Sequence, residues 1–174
     1  MAKSIANAMN CLNALLAEIF ACLLEPAYPN QLYYFERRLH KQKNKCFDSI
    51  NSIKVADARS RCMYLFEVIL DIAQLRRRVT DHTTFGIVTS ELSDILLALN
   101  ASFLQIQQKL LNKQDGSSSE DHVLSRAIDS FEGMYFSVVN VAAREPLVFL
   151  LFIDGLKTVS ELLADCDVAL EEWR

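Results

Sequence analysis

Glycine and proline are scarce in this chain, four and three in 174 residues. An all-β domain needs a turn about every ten residues, built largely from those two, so that class is excluded. Long apolar runs are missing as well. The longest, Leu147 to Ile153, has seven residues, whereas a membrane-spanning helix needs about 20. The polypeptide as given is therefore expected not to cross a bilayer, and no secretory leader is visible at its start. A basic surplus is absent too. With 18 Lys and Arg against 22 Asp and Glu the net charge is −4, which excludes the basic footprint of general nucleic-acid binding.

Cysteine is present but unpatterned. Cys11, Cys22, Cys46, Cys62 and Cys166 are odd in number, contain no Cys-x-x-Cys, and fall on or beside apolar stripes. They read as small buried hydrophobes in a reducing compartment, with neither disulfides nor a zinc site. Catalytic signatures are missing as well. There is no Gly-x-x-x-x-Gly-Lys phosphate loop and no Gly-x-Ser-x-Gly nucleophile turn. The histidines His40, His82 and His122 fall in a basic face, a turn and a helix start. No catalytic residue, cofactor or metal ligand is expected.

What remains is helix. Residues 58 to 110 hold two long amphipathic segments joined at Thr80-Asp81-His82-Thr83-Thr84. Cys62, Leu65, Ile69, Ile72, Leu75 and Val79 recur every three or four residues, as do Val88, Leu92, Ile95, Leu99, Phe103, Ile106 and Leu110. That spacing places each set on one face of a helix. A short polar joint predicts an antiparallel hairpin in which the two stripes meet.

Four more segments flank the pair. The first, Ser4 to Leu24, has Ser4 as its cap and a seam of Ile5, Met9, Leu12, Leu16, Ile19 and Leu23, with Pro26 and Pro29 as breakers. The second, Gln31 to Lys54, carries Leu32, Phe35, Leu39, Cys46, Ile50 and Ile53, interrupted by Gln42 and Lys43. A turn near Lys54 to Asp57, with Asp57 as cap, separates it from the third. Segment five, Glu120 to Arg144, turns Val123, Ala127, Phe131, Met134, Val138 and Val141 inward. The last follows Pro146, with the widest seam and so the most central place expected. Within it Gly155 predicts close approach of a neighbour, and Asp154 stands amid apolar residues, where a buried carboxylate needs a partner. The fold class is all-α: one antiparallel bundle of about six helices over residues 1–174, at least four of them long. Lys113 to Ser119 forms a flexible linker.

One charge cluster stands out. Arg37, Arg38, Lys41, Lys43 and Lys45 crowd the second segment, with His40 among them. A solvated helix face explains them, and so does a patch for an anionic membrane surface or an acidic partner. Aromatic residues do not interleave with them in the sequence.

Three stretches carry a family resemblance. Leu15 to Leu24, Ala58 to Asp71 and Pro146 to Leu156 resemble, in order, three helices of the soluble domain of the fusaric-acid-resistance family of bacterial inner-membrane proteins. These are often described as aromatic-acid or drug exporters. The resemblance implies a domain on the cytoplasmic face of the inner membrane, partnered by the membrane portion of the same parent protein. It would mediate assembly or regulation of transport, self-associating as a homo-oligomer through exposed residues such as Tyr33, Tyr34 or Phe149. Two other readings stay open. One is a free-standing helical adaptor or secreted bacterial effector that binds a protein partner, the other a small-ligand-binding sensor.

Overall fold

The apolar repeats become helices. A computed structural model describes residues 1–24, 29–75, 89–112, 121–134 and 146–173, and among these every regular element is α-helical. The helices are α1 (Ala2–Leu24), α2 (Pro29–Asn51), α3 (Ala56–Leu75), α4 (Thr89–Asn112), α5 (Asp121–Met134) and α6 (Pro146–Trp173). Prolines open two of them. Pro29 and Pro146 sit at the first helical position, where the missing N–H is one that no turn would use and the fixed φ already suits the helix. Ser4 lies inside the first turn of α1 and donates to the Met1 carbonyl at 2.7 Å, so it is not the cap expected of it.

Side-chain contacts fix the directions. Arg38 meets Glu18 and Gln42 meets the Cys11 carbonyl, so α2 runs against α1. Trp173 meets Asp57 and Gly155 meets Ile72, so α6 runs against α3. Leu124 shares a small cavity with Leu163 while Phe131 meets Phe152, so α5 runs against α6. Phe20 also stacks on Phe152, at 5.8 Å, placing the carboxyl ends of α1 and α3 level. Lys109 reaches Asp167, and Ser102 and Ser160 line one small cavity, so α4 and α6 run parallel. Every helix therefore opposes its predecessor. The six helices of the described residues form an up-down bundle.

The neighbours are not the expected ones. Among the described residues the stripes of α3 and α4 are not packed face to face: α3 packs on α6, α1 and α2, and α4 packs on α1, α5 and α6. Each stripe faces α1 and α6, which fill the space that a simple hairpin would close. The centre is accordingly shared. α6 lies among α3, α4 and α5, as its wide seam predicts, yet α1 is the more deeply enclosed, with Ile5, Met9, Leu12, Leu15, Leu16, Ile19 and Phe20 fully buried. Residues Ala2–Cys22 of α1 are long and apolar enough to span a bilayer, at mean hydropathy 1.4, and 61% of that window is buried in the bundle. A core helix enclosed on several sides meets the same criteria.

Other expectations hold in part. On α5 Phe131 is buried as expected and Ala127 is half-buried against the core, while Leu124 and Ile128 add a buried line beside them; the Val123 and Met134 side chains lie outside the described residues. Leu151 of α6 is partly exposed. Asp154 is exposed, not buried amid apolar groups, and its carbonyl accepts from the Thr158 hydroxyl. Gly155 behaves as predicted. A Cβ there would stand 2.7 Å from Ile72 Cγ1, closer than carbon atoms pack, so glycine is what lets α3 and α6 touch. The linker 113–119, the joint 80–84 and segment five beyond residue 134 lie outside the described residues.

Candidate functional site

The most chemically distinct surface is the outer side of α2. Its sequence alternates a thin apolar line with charge, so one side seals against α1 and α3 while the rest faces solvent. Cys46 and Ile50 are buried and Phe35 and Leu39 half-buried. The polar gap in that line is filled by Gln42, whose amide donates to the Cys11 carbonyl at 3.2 Å. The gap is a contact between α1 and α2.

All five basic residues of α2 are exposed. The helix does not gather them into one patch. Arg38, Lys41 and Lys45 are spaced three and four apart and form one line. Arg37 stands beside it, and Lys43 falls on the opposite flank, one turn before Phe47. Phe47 leans on Phe66 of α3 at 6.4 Å between ring centres. Arg38 is tied to Glu18 at 2.7 Å, and the other four make no ion pair among the described residues. Tyr34 lies one turn ahead of Arg38 on the same line, and Tyr33 one turn ahead of Arg37. Tyr33 is 67% and Tyr34 65% exposed, and their rings meet edge to face at 5.9 Å. Aromatic groups thus do adjoin the charges. Helical spacing joins what the linear sequence separates.

Charge is unevenly shared. Five basic and two acidic residues lie in α2; against the chain's 18 and 22, that leaves the helix at +3 and the remainder at −7. A positive strip on an acidic body attracts anionic surfaces and orients the body against them.

Chemistry is not assembled elsewhere among the described residues. No group of three or more His, Cys, Asp and Glu could hold a metal there. His40 is exposed and pairs with Asn44 at 3.3 Å. His82 and the His122 side chain lie outside the described residues. The five cysteines are buried thiols outside any disulfide. Burial pushes the Cys46 and Cys166 thiols up to about 12 and raises Cys62 as well, so these three are not nucleophiles at neutral pH. An open groove of about 360 Å³, lined by Asn51, Arg59, Ser60, Met63, Tyr64 and Glu67, brings no convergent donor set together. Lys109 and Asp167 are partly buried, and the ammonium is shared by both carboxylate oxygens at 2.9 and 2.8 Å. That pair pins α4 to α6.

No family model, curated protein or solved structure matches this chain. The surface has to speak for itself.

A further surface feature lies on α4 that its sequence does not single out. Leu97, Leu104 and Leu111 stand out from α4, on the side away from its core stripe. Their seven-residue spacing was readable, but the stronger inward repeat on the same helix masks it. Of the assembly residues named from sequence, Tyr33 and Tyr34 are exposed, and the Phe149 side chain lies outside the described residues.

Proposed function

We propose that this chain is a docking and assembly domain of a bacterial inner-membrane exporter-like protein, held against the anionic cytoplasmic leaflet by α2. One observation carries the reading: the exposed line of Tyr34, Arg38, Lys41 and Lys45 on a helix of net +3 within a chain of net −4. A basic residue near an anionic leaflet contributes about 1 kcal/mol, and tyrosine suits the boundary between apolar and wet. The resemblance of Leu15 to Leu24, Ala58 to Asp71 and Pro146 to Leu156 to the fusaric-acid-resistance family supports that setting. Passage of aromatic acids or drugs would belong to membrane segments of the parent protein; this domain would assemble or regulate them.

The test is co-sedimentation of the 174-residue chain with vesicles. Binding to vesicles rich in anionic lipid is expected at low salt, with loss as salt is raised and none to neutral vesicles. Changing Arg37, Lys41 and Lys45 together to Gln should weaken binding about 100-fold, from about 1 kcal/mol at each position. Equal binding to neutral vesicles, or no effect of the triple change, overturns the reading.

A second reading has its own support. The leucine ridge on α4 suits a protein partner, as a free-standing adaptor or secreted bacterial effector would need. Absence of any vesicle binding would favour it.

A further inference from the structure

The outward side of α4 carries a second apolar repeat. Leu97, Leu104 and Leu111 are 67%, 51% and 56% exposed. Seven residues make nearly two helical turns, so the three side chains form one ridge along the helix. Behind them Leu92, Ile95, Leu99, Phe103, Ile106 and Leu110 are buried in the bundle. Exposed Ala101 and Gln108 complete the ridge, with Ser93, Asn100 and Gln107 along its border. Among these positions and Asp94, which adjoins them, Asp94 is the only formal charge.

We infer that this ridge pairs with the same ridge of a second copy, in an antiparallel α4–α4 contact centred on Leu104. The pattern is its own complement, as a two-fold contact requires. Leu97 and Leu111 lie seven residues either side of Leu104, so reversal sets Leu97 against Leu111 and Leu104 against itself. Asn100 then faces Gln108, two amides able to bond across the contact. Charge favours the same occupant. Outside α2 the chain carries −7, so most of the surface repels a second copy while this ridge is nearly neutral. Charge also sets the direction. Parallel helices would place Asp94 beside Asp94 and align their dipoles; antiparallel ones separate the two carboxylates by about 30 Å, at about 1.5 Å per residue. Three leucines a side fall short of the roughly 800 Å² per partner of a standard interface, so pairing is weak and concentration-dependent.

The inference deepens the assembly part of the function proposed above but rests on a different helix. A monomeric variant that still binds anionic vesicles separates the two. Light scattering over a concentration series should show the mass rising from monomer towards dimer. Leu104→Lys, an exposed site where the helical circular dichroism should not change, is expected to hold the chain monomeric at every concentration. Cysteines introduced one at a time report the register when oxidised glutathione is supplied as the disulfide oxidant, the five native thiols being buried. Leu104→Cys should link to itself, whereas Leu97→Cys should link to Leu111→Cys in a mixture but not to itself. A monomer at all concentrations overturns the inference. So does self-linking of Leu97→Cys, or a Leu104→Cys yield no greater than that of the exposed control Ser125→Cys.

Discussion

Two antiparallel helix pairs in this molecule are joined in different ways. α3 and α6 are fastened at both ends. Near one end the Trp173 indole, 1% exposed, donates to Asp57 at 2.9 Å; near the other Gly155 admits Ile72 against the helix backbone. α1 and α2 share a seam on one side of α2 only, closed by Gln42 and by the surface pair Arg38–Glu18. The two pairs hold similar thiols, Cys62 by Cys166 and Cys46 by Cys11. They differ in the outward helix. α6 is enclosed by three neighbours, while α2 keeps its basic side free. Fastening at both ends against several neighbours gives stability; fastening along one side gives less of it and leaves a basic surface.

The sharpest way to break that contrast is at the tight pair. Trp173→Ala should cost about 3–5 kcal/mol, the usual range for emptying a buried aromatic site. Thermal unfolding would read it as a drop of roughly 6–20 °C, at about 2–4 °C per kcal/mol for a domain of this size. Trp173→Phe keeps most of the volume and loses the N–H, so it should fall much less.

Gly155→Ala comes next. The added methyl meets Ile72 Cγ1 at 2.7 Å and Cδ1 at 3.1 Å, and overpacking of that kind costs about 1–3 kcal/mol. Paired with Ile72→Ala, which removes both atoms, it should cost less than the two single changes summed. Strict additivity in denaturant unfolding would show that the two residues do not press on each other. Gly133 has open space where its Cβ would lie, so Gly133→Ala is the control and should stabilise by about 0.5–1 kcal/mol.

Acid probes the Asp57 end. The Trp173 N–H, then Arg61, hold its carboxyl below the usual carboxylate range. A carboxylate depressed in the folded state adds stability that is complete above its unfolded pKa near 4 and is lost as pH falls through the folded value. Asp57→Asn should therefore flatten part of the decline in Tm below about pH 4 and leave the neutral plateau slightly lower. An unchanged acid limb would mean the indole bond does not favour the charged form.

Much of this fold was legible in the sequence, for reasons the residues make plain. Leu92, Ile95, Leu99, Phe103, Ile106 and Leu110 are all buried as their spacing demands, because a 3.6-residue period leaves one face for the core. Partners were not legible. The stripes of α3 and α4 were expected to meet, and α1 and α6 take their places, since periodicity tells which face is buried and nothing about what covers it. Long-range closures were hidden for the same reason: no local pattern joins Asp57 to Trp173, 116 residues apart. Of the candidate site, the five basic residues were readable. Their division into a line with Tyr34 and a separate Lys43 needed the helix. Asp57 was expected to cap α3, and instead it lies in the first turn with its carboxylate turned to Trp173 and Arg61.

The smallest effect tests the loose pair. Arg38→Ala removes an ion pair whose arginine is 67% exposed and whose glutamate is 26% exposed, and exposed pairs contribute about 0–1 kcal/mol. Chemical denaturation should show a change within about 0.5 kcal/mol. If α2 is held by its apolar seam, the variant keeps its midpoint and loses only part of its attraction for anionic vesicles. A loss above 1 kcal/mol would mean Glu18 and Arg38 fasten α2 as Asp57 and Trp173 fasten α3, and the basic face would then be less free than its exposure suggests. Glu18→Gln separates the two effects, because it frees Arg38 without removing it and so should strengthen vesicle binding while matching Arg38→Ala in stability.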